Sequence, residues 1–282
     1  MIYYNLQLRP IQGIVPGLAP RLSVFQFSRL SDMMGAQGQI IMEIIDSHTH
    51  WGPSVSMGTE VTTQEILGQA DQSGVGRIVT FPFPSMALAD EKINERLLGE
   101  ANKIKRFIPY YYIPETMEPI PEGKGFYGGK WHWMRGIQDS SSNYEALKDP
   151  KLEEFIETSE KIDLPLVFEE ELSFTETFVR KTKSLKIIIP HLGMLGGNPM
   201  DFLRSFKSSE NIYFDTALAS PDTVMRFIKE VGHERILFGS DIPFGTMKWE
   251  LEKVLSLPIG DDKKELILSK NLRRLIGLKQ IV

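Results

Sequence analysis

Asp46, His48 and His50 stand two residues apart in Ile45-Asp46-Ser47-His48-Thr49-His50-Trp51-Gly52, directly after the apolar pair Ile44-Ile45. In an extended chain alternate residues share a face, so the carboxylate and both imidazoles point the same way. Neutral imidazole nitrogens about 6 to 7 Å apart on a strand can converge on one divalent ion. The chain has no cysteine, so a transition-metal site has to be built from histidine and carboxylate. The bland alternative is a pair of solvated polar residues in a strand-to-loop turn. Where the remaining histidines and acids fall decides between the two readings.

Placing them requires the elements. From Met42 onward apolar strand-like runs alternate with helical patterns. The His-x-His stretch leads into a helix over 64–71 with Thr62 or Thr63 as its N-cap, then a strand over 76–81 and a helix over 88–103. A third strand spans 106–113, with Pro109 marking it as short or irregular. Further strands are predicted over 129–133, 164–169, 185–190, 211–215 and 235–239, and helices over 151–161, 175–183, 221–231, 247–255 and 263–276. Strands alternating with helices in this way predict an α/β fold, a closed (β/α)8 TIM barrel over 42–282. An open doubly wound sheet is the alternative. It carries Gly-x-Gly-x-x-Gly after its first strand, where this chain has His-Thr-His.

In a barrel of this type chemistry gathers at the C-terminal ends of the strands. The predicted register puts His48 and His50 at the end of the first strand, Lys130 and His132 at the fourth and Glu169 or Glu170 at the fifth. His191 follows the sixth and Asp241 the eighth. His233 precedes Arg235 at the opposite end and reads as structural. Trp51, Phe83, Trp131 and Trp133 lie near strand tips, where they either line an apolar pocket or fill core.

At these residues the sequence resembles the amidohydrolase superfamily, and within it the amidohydrolase-2 (amidohydrolase-related) group that includes aminocarboxymuconate-semialdehyde decarboxylase-like proteins. The matching text is Ile45-Asp46-Ser47-His48-Thr49-His50, Gly129-Lys130-Trp131-His132, Leu164-Pro165-Leu166-Val167-Phe168 and Ile189-Pro190-His191-Leu192-Gly193. It continues with Asn211-Ile212-Tyr213-Phe214-Asp215-Thr216, Arg235-Ile236-Leu237-Phe238-Gly239-Ser240-Asp241-Ile242-Pro243 and the closing Asn271-Leu272-Arg273-Arg274-Leu275-Ile276-Gly277. The resemblance implies a mononuclear site for one divalent ion, zinc first and manganese second. It implies His48, His50 and Asp241 as ligands, Asp241 as proton acceptor and His191 beside it as a catalytic residue, with Glu169 the candidate ligand at the position after strand five. Asp241 reads alternatively as a capping acid, since Ser240-Asp241 before Pro243 is a common turn composition.

Two departures stand out. The family usually has a histidine after strand five, where this chain has Glu169; a carboxylate remains an admissible ligand but adds negative charge and weakens the ion as a Lewis acid. Parity alone does not choose between Glu169 and Glu170, and the other reading of Glu169 to Glu171 is a solvated acidic turn. Lys130 and His132 match the family's Lys-x-His, with Trp133 where proline is usual. Lys130, His132 and Trp51 are accordingly expected to contact substrate, Lys130 through a carboxylate or phosphate, although a lone lysine otherwise snorkels.

Composition limits the partners. Lys and Arg number 32 against 37 Asp and Glu, a formal charge of −5, which argues against nucleic acid, and the basic run from Arg180 to Lys186 reads as a solvated helix end. Hydrophobic residues make up 41% and charged residues 24%, a globular balance that suggests neither disorder nor a membrane protein. Residues 1–41 hold three Arg and one Asp with prolines at 10, 16 and 20. They read as a loosely ordered extension, with an alternative start at Met42. The expected partner is a small molecule, a homo-oligomer is compatible with everything above, and the absence of cysteine suits a reducing cytoplasm. The function expected is a metal-dependent hydrolase of a small amide, lactone or ester. A decarboxylase with the same site and a catalytically degenerate ligand-binding barrel are the alternatives.

Overall fold

The computed structural model describes residues 42–278. The expectation for residues 1–41 lies outside the described residues. In chain order the strands are β1 (Ile45–Asp46), β2 (His50–Ser54), β3 (Thr59–Val61), β4 (Arg77–Pro82), β5 (Phe107–Pro109), β6 (Tyr111–Tyr112) and β7 (Gly129–Trp131). They continue with β8 (Met134–Gly136), β9 (Asp139–Ser142), β10 (Leu166–Phe168), β11 (Ile187–Ile189), β12 (Ile212–Asp215) and β13 (Ile236–Leu237). Except for β3, β8 and β9, which form antiparallel hairpins, every pairing is parallel. That is why the central runs are apolar throughout instead of alternating: a parallel strand is covered on both faces.

Two sheets make up the barrel. In one, β4 lies between β1 and β2 on one side and β5 on the other; the second runs β6-β7-β10-β11-β12-β13. They meet at two seams. At the first, β5 and β6 are one stave interrupted at Tyr110, whose N–H donates to the Thr80 carbonyl while that of Tyr111 donates to Gly128. Pro109 brings no N–H to the ladder, and the irregularity expected from it is present. At the second seam Ser47 N–H donates to the Phe238 carbonyl at 2.8 Å, Asp241 N–H to His48 at 2.8 Å and His50 N–H to Ile242 at 3.0 Å. These bonds close the ring of eight staves.

Inside the ring Ile45, Val79, Phe81, Ile108, Val167, Ile188 and Leu237 pack on one another above a floor of Leu272, Leu275 and Ile276. Outward-facing residues pack on the helices. Trp131 is fully buried, stacks on Trp133 at 4.2 Å and on Phe168 at 5.5 Å, and lies 5.2 Å from Phe178. Of the two readings, pocket lining or core, both tryptophans take the second, and an aromatic side chain buried to this extent contributes about 1.5–3 kcal/mol.

Local signals explain most helix ends. Helix α1 (Thr63–Ser73) starts with a capping box, in which Thr62 Oγ1 accepts from Glu65 N–H at 3.1 Å and Glu65 accepts from Thr62 N–H at 2.7 Å. The predicted helix over 88–103 is two helices, α2 (Pro84–Ala89) and α3 (Ile93–Lys103), because Asp90 caps Lys92 N–H at 3.0 Å and turns the chain. Leu152–Ile162 (α4) and Leu172–Val179 (α5) fall near their predicted places. Helix α6 (Pro199–Phe206) was not among the predicted elements, yet Asn198 caps it and Pro199 occupies its first turn. Pro221–Val231 (α7) and Met247–Ser256 (α8) agree with expectation, whereas 263–276 contains a π-helical turn, Leu266–Lys270. Ile267 in that turn accepts from Phe238 N–H, tying the last segment to the eighth stave.

Glu160 of α4 holds the start of stave six by accepting from Ser184 N–H at 2.8 Å and Leu185 N–H at 3.3 Å as well as from Lys183 N–H. Partial burial raises its pKa, but these bonds outweigh burial and hold it below the usual glutamate range. A depressed carboxylate stabilises the fold above its unfolded pKa and loses that contribution as pH falls through the folded value. We expect Glu160→Ala to cost about 1 kcal/mol at pH 7 in denaturant unfolding and progressively less below pH about 4; an equal cost at pH 7 and pH 3 would refute this assignment.

Candidate metal centre

Each predicted residue except Trp51 sits in one layer at the C-terminal mouth of the barrel. His48 lies between β1 and β2, anchored by its own N–H donating to Asp46 Oδ1 at 3.0 Å; the same oxygen accepts from Ser240 N–H at 3.0 Å. Asp46 therefore clamps stave one to stave eight, and burial pushes its carboxyl up to about 7. His50 opens β2, stacks on Phe83 at 4.7 Å and meets Phe81 edge-on. Trp51 alternates with it onto the other face, where its indole N–H donates to Thr63 Oγ1 at 3.1 Å. The substrate contact expected of Trp51 is thus corrected: the pleat that turns His50 inward turns Trp51 toward α1.

His191 follows β11 in a 3-10 turn with left-handed backbone at φ 47° and, at Leu192, φ 55°. Asp241 after β13 is left-handed too, at φ 55°. Such conformations cost about 1–3 kcal/mol at a residue with a Cβ and concentrate at sites whose surroundings enforce them. One enforcing group is Asp215, a residue to which the sequence reading gave no role. Its Oδ2 accepts from His48 Nδ1 at 2.8 Å, and its Oδ1 from the N–H groups of His191 at 2.9 Å and Ala217 at 3.0 Å. The signal was available: Asp215 ends a buried strand in phase with Tyr213, facing inward at the catalytic end. Gly239 makes room, since a Cβ there would lie 3.0 Å from the His48 Cβ and 3.1 Å from the Asp215 Cγ.

The side chains converge. Asp241 Oδ1 lies 3.2 Å from His48 Nε2 and 3.3 Å from His50 Nε2, and Asp241 Oδ2 lies 3.6 Å from His191 Nε2. Glu169 Oε1 is 3.8 Å from His191 Nε2. Yet His48 Nε2, His191 Nε2 and both Asp241 oxygens are buried without a hydrogen bond. Buried polar atoms left in this state are costly and rare. Ligands about 2.1 Å from a tetrahedral ion are about 3.4 Å from one another. The spacing and the orphaned lone pairs therefore fit a divalent ion held by His48, His50 and Asp241, with His191 and Glu169 completing a second overlapping group.

Electrostatics follows the same arrangement. Burial would lower the His48 pKa, but Asp241 and Asp215 on its two sides overturn this and lift it to about 10. A cation held by His48 would take the place of that proton. Burial lowers His50 to about 4 and lowers His191 as well, keeping both as neutral donors of a lone pair. For Asp241 burial is outweighed by His48 and then His50, which hold it well below the ordinary aspartate range.

Strand five is resolved in favour of Glu169. Its Oε2 accepts from the Lys130 ammonium and lies 3.5 Å from His132 Nδ1. Lys130 is fully buried, 4.7 Å above the Phe81 ring, and with its neighbours it keeps Glu169 charged against the opposing effect of burial. It does not snorkel: the anion beside it is Glu169, where a substrate carboxylate or phosphate is the expected partner. Glu170 turns the other way, accepts from Trp133 N–H at 2.7 Å and is pushed by burial up to about 7. Neither acid belongs to a solvated turn. His132 stays at the rim, half-buried, and His233 lies far below the site, its carbonyl bonded to Asn271 as a structural residue.

The family model described as Amidohydrolase matches residues 70–278, most of the chain, and the protein belongs to this amidohydrolase-2 family. The match begins after His48 and His50, so the candidacy of those two residues as ligands stands on the geometry above. Similar solved structures include a dihydroxybenzoic acid decarboxylase from Polaromonas sp. JS666 with bound manganese and the inhibitor 2-nitroresorcinol, 16% identical, covering 85% of this chain and 98% of its own at TM-score 0.67. An amidohydrolase from Burkholderia multivorans with bound zinc is 11% identical over 84% of this chain and 100% of its own, at TM-score 0.69. A probable 2-pyrone-4,6-dicarboxylic acid hydrolase from Acinetobacter baumannii with citric acid bound is 15% identical with the same coverages, at TM-score 0.64. No curated protein matches the sequence significantly. At these identities the likeness establishes the barrel; the family's members act as hydrolases and as carboxy-lyases.

Removing one half of a buried ion pair leaves the other as an uncompensated charge. Lys130→Met should therefore lower the free energy of unfolding by about 3 kcal/mol, and Lys130→Met combined with Glu169→Leu should regain most of it. Denaturant midpoints decide; a single variant as stable as the parent would remove the pairing from the account.

Proposed function

We propose that this amidohydrolase-family protein is a metal-dependent hydrolase of a small carbonyl compound, an amide, lactone or ester. The observation that carries the reading is Asp241: a charged, buried carboxylate set 3.2 to 3.6 Å from three imidazole nitrogens, with no regular hydrogen bond on either oxygen. Zinc is the proposed ion and manganese the alternative, since Glu169 adds an oxygen donor. When bound, the ion supplies Lewis acidity toward a carbonyl oxygen or a water.

The chain's own residues do the rest. Asp241 accepts the proton that a water loses as its oxygen bonds to the carbonyl carbon, and returns it to the leaving nitrogen or oxygen as that bond breaks. His191, neutral and with Nε2 3.6 Å from Asp241 Oδ2, donates to the carbonyl oxygen as charge develops there when it carries its hydrogen on Nε2 and is not itself a ligand. Lys130 and Glu169 lie beside the cluster as a neutral pair. Phe83 beneath His50 and the exposed Phe244, 5.7 Å from His50 and edge-on to it, give the mouth an apolar wall suited to a small, partly apolar substrate. The half-buried His132 stands at that mouth as a group that can touch substrate.

A second reading, a decarboxylase using the same residues, is supported by the similar decarboxylase fold and by the family's range of reactions. Among the described residues no helix is long and apolar enough to cross a membrane, and a small-molecule substrate in the cytoplasm is the proposed setting. Product analysis separates the two reactions: uptake of one water favours the hydrolase, and carbon dioxide release without it the lyase. In either case His48→Ala with His50→Ala should abolish stoichiometric metal, and Asp241→Asn, with metal occupancy matched, should lower kcat at least about 100-fold. Equal metal content in the parent and the double variant would overturn the metal reading.

A further inference from the structure

We propose that Asp215 is a positioning residue that, with one carboxylate, selects the ring nitrogen His48 presents and fixes the backbone twist that presents His191. The inference rests on the metal reading above and assigns the second tier of that site.

Both oxygens of Asp215 are committed, and to different tasks. Oδ1 accepts two backbone N–H groups, those of His191 and Ala217, at 2.9 and 3.0 Å. The first of these secures a residue whose backbone lies at φ 47° and would relax without a partner. Oδ2 accepts from His48 Nδ1 at 2.8 Å. A carboxylate only accepts, so Nδ1 must carry the hydrogen, and in the neutral ring the lone pair is then on Nε2. Nε2 is the nitrogen 3.2 Å from Asp241 Oδ1. Asp215 is completely buried at the end of β12, and no water competes for the arrangement.

The geometry makes Asp215→Asn a sharp test although the side chains are nearly isosteric. The amide NH2 cannot face the His191 and Ala217 N–H groups, because donor would meet donor, so the amide oxygen takes that side. The NH2 is then directed at His48 Nδ1 and donates to it. His48 is forced to carry its hydrogen on Nε2, the atom required as ligand. A purely space-filling role for Asp215 predicts none of this.

The experiment measures zinc and manganese affinity of the full-length protein and its Asp215→Asn variant by chelator competition. Nitrogen-15 NMR of the histidine rings, with His48 assigned from a His48→Ala sample, is recorded on the zinc-loaded parent. We expect zinc affinity to fall about 10–100-fold in the variant, and the parent to show His48 ligated through Nε2 with hydrogen on Nδ1. Undiminished affinity in Asp215→Asn overturns the proposal, and so does His48 ligated through Nδ1. The parent spectrum decides the matter even if the variant fails to fold. Failure of the parent to bind either ion would sink the metal reading and this inference together, whereas parent binding with an unaffected variant sinks this one alone.

Discussion

A charge buried at the top of an apolar barrel must be paired or hydrogen-bonded, and this requirement organises the whole mouth of the molecule. Asp46 accepts the N–H groups of His48 and Ser240 on Oδ1, Glu170 that of Trp133, and Asp215 His48 Nδ1 and two more N–H groups; of Asp46 only Oδ2 is left without a bond, of Asp241 both oxygens. Glu169 has the Lys130 ammonium. Asp241 breaks the pattern. It is as buried as the others, yet faces only imidazole nitrogens. Among these acids the exception is the one aimed at the centre of the cluster, which is why it is read as the functional carboxylate.

The site and the barrel are also made of the same bonds. The seam between the eighth and first staves consists of Ser47 N–H to Phe238, Asp241 N–H to His48 and His50 N–H to Ile242, with Asp46 bridging both staves. Closing the sheet therefore brings the His-x-His segment and the Asp241 loop together in one step. The left-handed turns at His191 and Asp241 are sustained by this closure and by Asp215, so their conformational cost is offset by the rest of the fold.

Replacing a neutral imidazole by a carboxylate at strand five would by itself add negative charge to the site. The structure answers with Lys130 from the adjacent β7, in register with Val167 of β10, one residue before Phe168. Glu169 and Lys130 together present the centre with a net charge close to that of the imidazole they stand in for. The reaction itself follows from groups at the mouth and not from the barrel, which hosts hydrolases and lyases alike.

What the sequence determined by itself was the set of staves and the residues at their tips. Apolar runs of fixed length, Asn198-Pro199 and the Thr62–Glu65 box are local signals, readable because they act over a few residues. Strand parity also carried His48 and His50, and would have carried Asp215 had its inward phase been followed. Tertiary structure alone decided the partners: that Lys130 pairs with Glu169, that Trp51 belongs to α1, that Glu169 and not Glu170 turns inward, and that Asp215 grips two histidines. Each of these depends on which distant stave lies alongside, at a distance of a few ångströms, and no short-range pattern in the chain encodes that separation.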